Sequence, residues 1–260
     1  MTRVLITGAS TGIGRDLAFE FAKHSHSLLL VARSEDKLIE LKKELINLFR
    51  IDVDYFVCDL SSDYDALINY CELNNVQIDV LINNAGFGDY SEFTNADINK
   101  LTNMIDLNNK ALVALSYHFV QRMKDLGSGF ILNTASVASF VPGPYMATYY
   151  ATKSFVLSFS LALREELKKD NIGVSCLCPA PTKSPFWQVA GGDFNLATSK
   201  LFARTSKQAA KTGYRIYQKN KPYEIDGLLF KISFWFLRLL PLTLSSKIMA
   251  VVQSKSKVKN

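Results

Sequence analysis

Six short, nearly unbroken apolar runs punctuate the chain: Val4–Ile6, Leu28–Ala32, Val53–Val57, Val80–Ile82, Phe130–Leu132 and Val174–Cys178. None alternates regularly enough to have a wet face, so each is expected as a strand buried on both sides. Between them lie segments of helical period, such as Asp36–Phe49 and Tyr149–Lys169. Buried strands separated by helices imply a parallel sheet covered on both faces, and the right-handed crossover rule makes it doubly wound. The expected fold class is a single α/β domain of that kind. Leu101–Leu126 is long enough for one uninterrupted helix of about seven turns. Tyr149–Leu163 is apolar almost all round and needs cover on two sides, from a partner subunit or from the chain's own C-terminal segment.

After Cys178 the rhythm stops, and Pro179, Pro181, Pro185, Gly191 and Gly192 announce irregular backbone. Residues 1–182 therefore read as a core and residues 183–260 as a substrate lid and tail. Phe186, Trp187 and Phe194 either line a greasy cleft or pack the lid onto its own domain. Residues 206–219 suit a basic helix. Gly227–Met249 combines large apolar groups with Lys231, Arg238 and a breaking Pro241, and is too short and too charged to span a bilayer. It reads either as an interfacial helix or as ordinary core packing ahead of a solvated Lys255, Lys257, Lys259 tail.

Composition narrows the class. With 260 residues, 48% hydrophobic and 21% charged, the chain is neither disordered nor fibrous. Its net charge of +6 is unevenly spread: residues 1–200 carry −4 and residues 201–260 carry +10. Positive charge confined to one end argues against nucleic acid gripped by the whole fold and toward an anionic surface met by the tail, so peripheral membrane contact is an expectation. The first apolar run begins at Val4, which leaves no room for a secretory signal, so a cytoplasmic location is expected. Cys58, Cys71, Cys176 and Cys178 form no C-x-x-C pair and are expected as buried, reduced thiols. His24, His26 and His118 match no ligand spacing, so no metal is expected.

The first strand runs into Thr7-Gly8-Ala9-Ser10-Thr11-Gly12-Ile13-Gly14 and then a helix. Gly8 permits the tight turn, Gly12 the approach of a pyrophosphate to main-chain N–H groups, and Gly14 the packing of helix on strand. Tyr149 and Lys153 stand four apart on a helix, one turn apart on the same face. An ammonium there would favour the phenolate and lower the tyrosine from its ordinary pKa of about 10. Ser136 follows the fifth strand, at the carboxyl edge where doubly wound sheets expose functional groups. Tyr145 and Tyr150 have no lysine four residues on and are set aside. At the end of the second strand stand Ala32 and Arg33 rather than an acid. Arg33 would accept a ribose 2′-phosphate bidentately, with Ser10 adding a hydroxyl, unless it merely pairs with Glu35 or Asp36.

Together, TGASTGIG at 7–14, NNAG at 83–86, Ser136 and Y-x-x-x-K at 149–153 resemble the short-chain dehydrogenase/reductase family in motif and order. The resemblance covers roughly residues 4–182. It implies a Rossmann-type fold and hydride transfer between a nicotinamide and a carbonyl or secondary alcohol; a homo-oligomer is expected as one way to cover Tyr149–Leu163. It implies that Ser136, Tyr149 and Lys153 are catalytic, with Lys153 also holding the nicotinamide ribose beside Tyr149. Asn108 matches the family's helix-bending asparagine of the proton relay, although Asn109 is adjacent and a mid-helix asparagine can simply be solvated. Gly8, Ser10, Thr11, Gly12, Ile13, Gly14, Arg33, Asp59, Leu60, Asn84, Ala85, Gly86, Pro179 and Thr182 fall at its cofactor-binding positions. Asp59 matches the adenine-contacting acid and Thr182 the residue at the nicotinamide amide. Pro179-Ala180 departs from the usual Pro-Gly, which leaves the backbone there open. NNAGFG and the apolar, basic C-terminal segment are similar to branches that reduce long-chain 3-oxoacyl or steroid carbonyls. The expectation is an NADP(H)-dependent oxidoreductase acting on a hydrophobic ketone. The alternative is a catalytically silent nucleotide-sensing or scaffolding protein of the same fold.

Overall fold

The computed structural model describes residues 2–192 and 204–254; Phe194 and the Lys255, Lys257 and Lys259 tail lie outside them. Along the chain run β1 (Arg3–Thr7), α1 (Gly12–Lys23), β2 (Ser27–Ala32), α2 (Glu35–Phe49), β3 (Val53–Val57), α3 (Tyr64–Leu73) and β4 (Val80–Asn83). Then follow α4 (Ile98–Ile105), α5 (Leu112–Asp125), β5 (Gly129–Thr134), α6 (Ala147–Leu167) and β6 (Ile172–Cys178). The last part holds β7 (Thr182–Lys183), α7 (Phe186–Ala190), β8 (Arg204–Thr205), α8 (Ser206–Lys219), β9 (Tyr223–Ile225), α9 (Leu228–Leu239) and α10 (Leu242–Ser254).

Seven strands form one parallel sheet in the order β3-β2-β1-β4-β5-β6-β9. The six apolar runs all became strands of this single α/β domain; five are buried on both faces, while β3, at the sheet edge, is buried only at Val53 and leaves Val57 exposed. Leu5, Leu29 and Leu81, in register on β1, β2 and β4, face α3 and α5. Their neighbours Val4, Ile6, Leu28 and Leu30 face the opposite layer, with Leu17, Phe21, Leu41 and Tyr214. The seventh strand, β9, has only Tyr-Glu-Ile and no run to announce it; it forms because β6 offers it an edge.

One expectation is corrected, and one alternative is met in part. Leu101–Leu126 is not a uniform helix: α4 and α5 are joined by a π-helical turn, Asp106–Ala111, where asparagine amides reach sideways for tertiary partners. The cover on α6 comes in part from the chain itself, since Phe234 and Met249 pack in one cluster with Val156, Leu157 and Cys178. The outer face of α6 leaves Phe155 stacked on Phe159, their centroids 5.8 Å apart. The expected break at Pro241 separates α9 from α10, with Leu240 extended before it. Among the described residues no helix is long and apolar enough to cross a membrane.

Beneath the sheet's carboxyl edge runs a buried polar network. Asn83 Nδ2 donates to Asn133 Oδ1 (2.9 Å) and to Ser116 Oγ (3.0 Å). Asn133 Nδ2 donates to Ser160 Oγ (2.9 Å), whose hydroxyl donates to the Val156 carbonyl (2.6 Å). Truncating Asn133 removes the acceptor of one buried amide and the donor to a buried hydroxyl, the costly way to lose a hydrogen bond. Asn133→Ala is expected to lose about 2–3 kcal/mol of stability, read as a lower denaturant midpoint with an unchanged slope.

Candidate active site

Strand order reverses between β1 and β4, so the loops after these strands part and leave a crevice at the carboxyl edge. A cleft of about 450 Å³ lies there, inside the range of small-ligand sites. Gly8 and Gly12 both have positive φ, 65° and 58°. Gly14 allows α1 to sit on the turn, because a Cβ there would lie 2.2 Å from the Gly8 carbonyl oxygen. Thr11 caps α1 in extended conformation without turning its side chain onto the helix, so the first-turn N–H groups face the cleft uncapped. Loop and helix end thus form a cradle fitted to a dinucleotide's phosphates.

Gly8, Ser10, Thr11, Gly12, Ile13, Arg33, Asp59, Leu60, Asn84, Ala85 and Gly86 line this cleft. So do Ser136, Tyr149, Lys153, Pro179 and Thr182. Gly14 and Asn108 do not line it; Gly14 lies beneath the loop, and Asn108 is buried behind Gly86. The cradle is tight there, since a Cβ on Gly86 would come within 2.9 Å of Asn108 Oδ1 and 3.4 Å of Lys153 Nζ. Asn108 is not solvated: its amide donates to the Phe87 carbonyl (3.0 Å) and Thr152 Oγ1 (3.1 Å), and its oxygen accepts from Phe87 N–H (3.1 Å). Ala180 has no left-handed backbone, so alanine serves where glycine is usual. Its carbonyl accepts from Thr182 Oγ1 at 2.7 Å.

Ser136 ends the loop after β5 and caps the short turn Val137–Phe140, its Oγ accepting from Ala138 N–H at 3.1 Å. That turn is fastened to α6, since Ser139 Oγ donates to the Lys153 carbonyl (2.7 Å). Ser136 and Tyr149 are consequently within hydrogen-bonding reach of each other. Lys153, 5% exposed, donates from Nζ to the Thr134 carbonyl at 2.8 Å and lies 5.9 Å from the centre of the Tyr149 ring.

The electrostatics differ from the expectation that Lys153 depresses the Tyr149 phenol. Burial pushes Tyr149 up to about 12, and the Ser136 hydrogen bond offsets only part of that. Burial likewise pushes Lys153 down to about 8, against a weaker opposing pull from Cys176 and Cys178. In the ligand-free chain the phenol therefore keeps its proton. At the far end, Arg33 is 73% exposed along its side chain and pairs with Asp59 at 3.4 Å, not with Glu35 or Asp36. Burial raises the Asp59 carboxyl, but hydrogen bonds from the Ser61 hydroxyl and N–H, together with Arg33, bring it below its ordinary value.

Three participants were missed by the sequence reading. Lys37, four residues after Arg33 on α2, lines the same end of the cleft; the four-residue spacing of two bases could have signalled it. Tyr150, set aside for want of a lysine, also lines the cleft. Gln253 of α10 donates to the Tyr150 hydroxyl and accepts from the Tyr90 hydroxyl through its carbonyl, a contact across the whole chain that no local pattern could announce. Phe186 packs on Tyr149 with centroids 5.2 Å apart, and Trp187 Nε1 donates to the Thr182 carbonyl (3.1 Å), so both aromatics belong to the cleft wall.

Comparison with known proteins agrees with this geometry. A family model described as short chain dehydrogenase matches residues 2–193. Over 213 residues the chain is 32% identical to a very-long-chain 3-oxoacyl-CoA reductase of Kluyveromyces lactis, covering 78% of this chain and 61% of that protein's length. It is 28% identical over 228 residues to a putative steroid dehydrogenase 4 of Caenorhabditis elegans, covering 82% and 86%. A short-chain dehydrogenase from Sphingobium yanoikuyae, solved in complex with NADPH, matches with a TM-score of 0.82 at 30% identity over 93% of this chain and 97% of that one.

The depressed Lys153 carries a stability consequence. Its folded pKa, near 8, lies below the unfolded value of 10.5, so the buried ammonium destabilises the fold fully below pH 8. The penalty fades as pH rises toward 10.5. Lys153→Met is expected to stabilise the ligand-free protein at neutral pH by on the order of 2–3 kcal/mol. Wild-type stability should climb between pH 8 and 10 relative to the variant, as followed by urea unfolding across that window.

Proposed function

The chain belongs to the short-chain dehydrogenase family, and on that footing we propose that it is an NADP(H)-dependent reductase of hydrophobic ketones. The observation that carries the reading is one cleft that brings Ser136, Tyr149 and Lys153 beside a phosphate cradle and a basic far end. A bound nicotinamide supplies the hydride that reaches the carbonyl carbon. Tyr149, protonated up to about pH 12 in the free chain, donates its proton to the carbonyl oxygen. Ser136, its oxygen held by Ala138 N–H, turns its own proton toward the same oxygen and stabilises the developing charge. Lys153 holds the nicotinamide ribose, and Asn108, through Thr152 and Phe87, keeps α6 in register with the loop after β4. Gly8 through Gly14 hold the pyrophosphate, with Asn84, Ala85, Gly86, Pro179 and Thr182 around the nicotinamide half and Asp59 and Leu60 around the adenine half.

Preference for the 2′-phosphate rests on Arg33 and Lys37. The Arg33–Asp59 pair is long and exposed, hence weak and easily exchanged for a dianionic partner. Met146, Phe87, Tyr150, Phe186 and Val189 give the substrate end an apolar wall. That wall, with the reductase relatives, supports a 3-oxoacyl thioester as substrate class ahead of a steroid ketone. Residues 183–260 act as substrate lid and tail, and the uncovered Phe155–Phe159 face of α6 is the proposed contact of a homo-oligomer. The proposed setting is cytoplasmic.

NADPH oxidation in the presence of 3-oxoacyl thioesters, steroid ketones and simple ketones tests the reading. Tyr149→Phe should lower kcat by about 10²- to 10⁴-fold while NADPH still binds; unchanged turnover would remove Tyr149 from the reaction. Arg33→Ala with Lys37→Ala should weaken NADPH binding by roughly 10- to 100-fold and leave NADH unaffected. Equal losses for both nucleotides in fluorescence titrations would refute 2′-phosphate recognition there.

A further inference from the structure

Among the described residues 21 large hydrophobic side chains stand exposed, and ten of them fall within α9 and α10. On α9, Leu228, Leu229, Ile232, Phe236 and Leu239 recur at helical spacing and make one outward stripe, Leu228 being 72% exposed. Phe234 of the same helix is buried in the cluster around Val156 and Leu157. The helix is therefore apolar inside and outside, a pattern that a helix solvated on one side does not need. α10 divides the same way. Ser245, Met249 and Gln253, four apart, face inward, while Ile248 and Val251 face out. A patch of this size, gathered on two consecutive helices, marks an interaction surface rather than scattered exposure.

Charge identifies the occupant. From Gly227 to Asn260 the sequence has six Lys and Arg and no Asp or Glu. Lys231 and Lys247 stand exposed beside the apolar stripes, and among the described residues neither has an ion-pair partner. The acids nearest in sequence are engaged: Asp226 with Arg204 (2.7 Å), and Glu224 with Arg215 (2.6 Å) and Lys221 (3.1 Å). A second copy meeting this patch across a two-fold axis would oppose lysine to lysine, with no carboxylate in the patch to answer. An anionic bilayer surface answers both features, apolar side chains entering the acyl boundary and ammonium groups staying at the headgroups.

We propose that the outer face of α9 and α10 docks the protein on anionic membrane surface, each helix lying in the interface rather than crossing it. Because α10 is also latched to Tyr90 and Tyr150 through Gln253, docking would seat the lipid close to the cleft that takes the proposed apolar substrate. The docking itself does not depend on turnover and is measured without it.

Flotation of the full chain with phosphatidylcholine vesicles, with and without phosphatidylserine, is the test. Binding is expected on the anionic vesicles, weaker in high salt, with the partition coefficient falling about fivefold for each lysine neutralised in Lys231→Gln and Lys247→Gln. Leu229→Ser, Phe236→Ser and Leu239→Ser together should abolish binding while leaving the melting temperature and NADPH binding of the wild type, which certifies that the variant is folded. Absence of wild-type binding to phosphatidylserine vesicles, or binding that survives the triple substitution, would overturn the proposal. So would light scattering that shows the triple substitution splitting a larger wild-type assembly, because the patch would then be a contact between copies.

Discussion

The chemistry of this molecule depends on how β1 and β4 are held as they part. Where two parallel strands diverge, the groups that would have paired must find other partners or remain orphaned. One threonine and one asparagine solve this. The Thr7 hydroxyl accepts from the backbone N–H of Asn84 (2.9 Å) and of Ala85 (3.0 Å), and Asn84 Nδ2 donates to the Thr7 carbonyl (3.0 Å). Thr134, at the end of β5, donates to Asn84 Oδ1 at 3.4 Å. Three strand ends are tied by three side chains, Thr7, Asn84 and Thr134, and the three loops that leave them are aimed at one crevice. The same stitch explains the glycines, since a Cβ on Gly14 would meet Asn84 Nδ2 at 2.5 Å as well as the Gly8 carbonyl.

A second constraint holds the loop after β4 to α6. The π-helical turn between α4 and α5 interrupts the regular ladder, a local cost that such turns carry at functional sites. What it provides is reach. Asn108 bonds Phe87 and Thr152, and Asn109 Nδ2 bonds the Thr152 carbonyl at 3.0 Å, so the loop after β4 and the helix carrying Tyr149 are fixed to one piece of backbone. The turn Val137–Phe140 fastens the next residue of that helix, with Ser139 Oγ donating to the Lys153 carbonyl. Tyr149 is thus positioned by these neighbours rather than by α6 alone.

These two constraints separate what could be read in the sequence from what could not. β1, β2, β4, β5 and β6 were legible because a strand buried on both faces must be nearly continuously apolar, and β3, a half-exposed edge strand, because valine, tyrosine and phenylalanine favour extended backbone. β9 was not, because three residues carry no period and their strand exists only by borrowing the edge of β6. The glycine loop and the Tyr149–Lys153 spacing were legible as local geometry; their convergence was carried by family resemblance, since nothing local brings residues 8 and 149 together. The bend at Asn108 was legible only through the family resemblance, because an asparagine in mid-helix can also simply be solvated. Arg33 was read correctly as a base at the end of β2, but its partner came from β3's loop, Asp59, and not from the adjacent acids.

The phenol and the amine show most clearly why sequence spacing underdetermines a site. Four residues on a helix put Tyr149 and Lys153 on one face, yet the ammonium bonds the Thr134 carbonyl and burial outweighs its influence on the phenol. The cleft therefore holds an amine whose charge is half lost near pH 8. An anionic dinucleotide in the cradle would supply the counter-charge that Lys153 lacks and draw a proton onto it by linkage. Nucleotide binding and the charge state of the proposed acid's neighbour are then one coupled equilibrium, expressed around and above pH 8, where the amine would otherwise give up its proton.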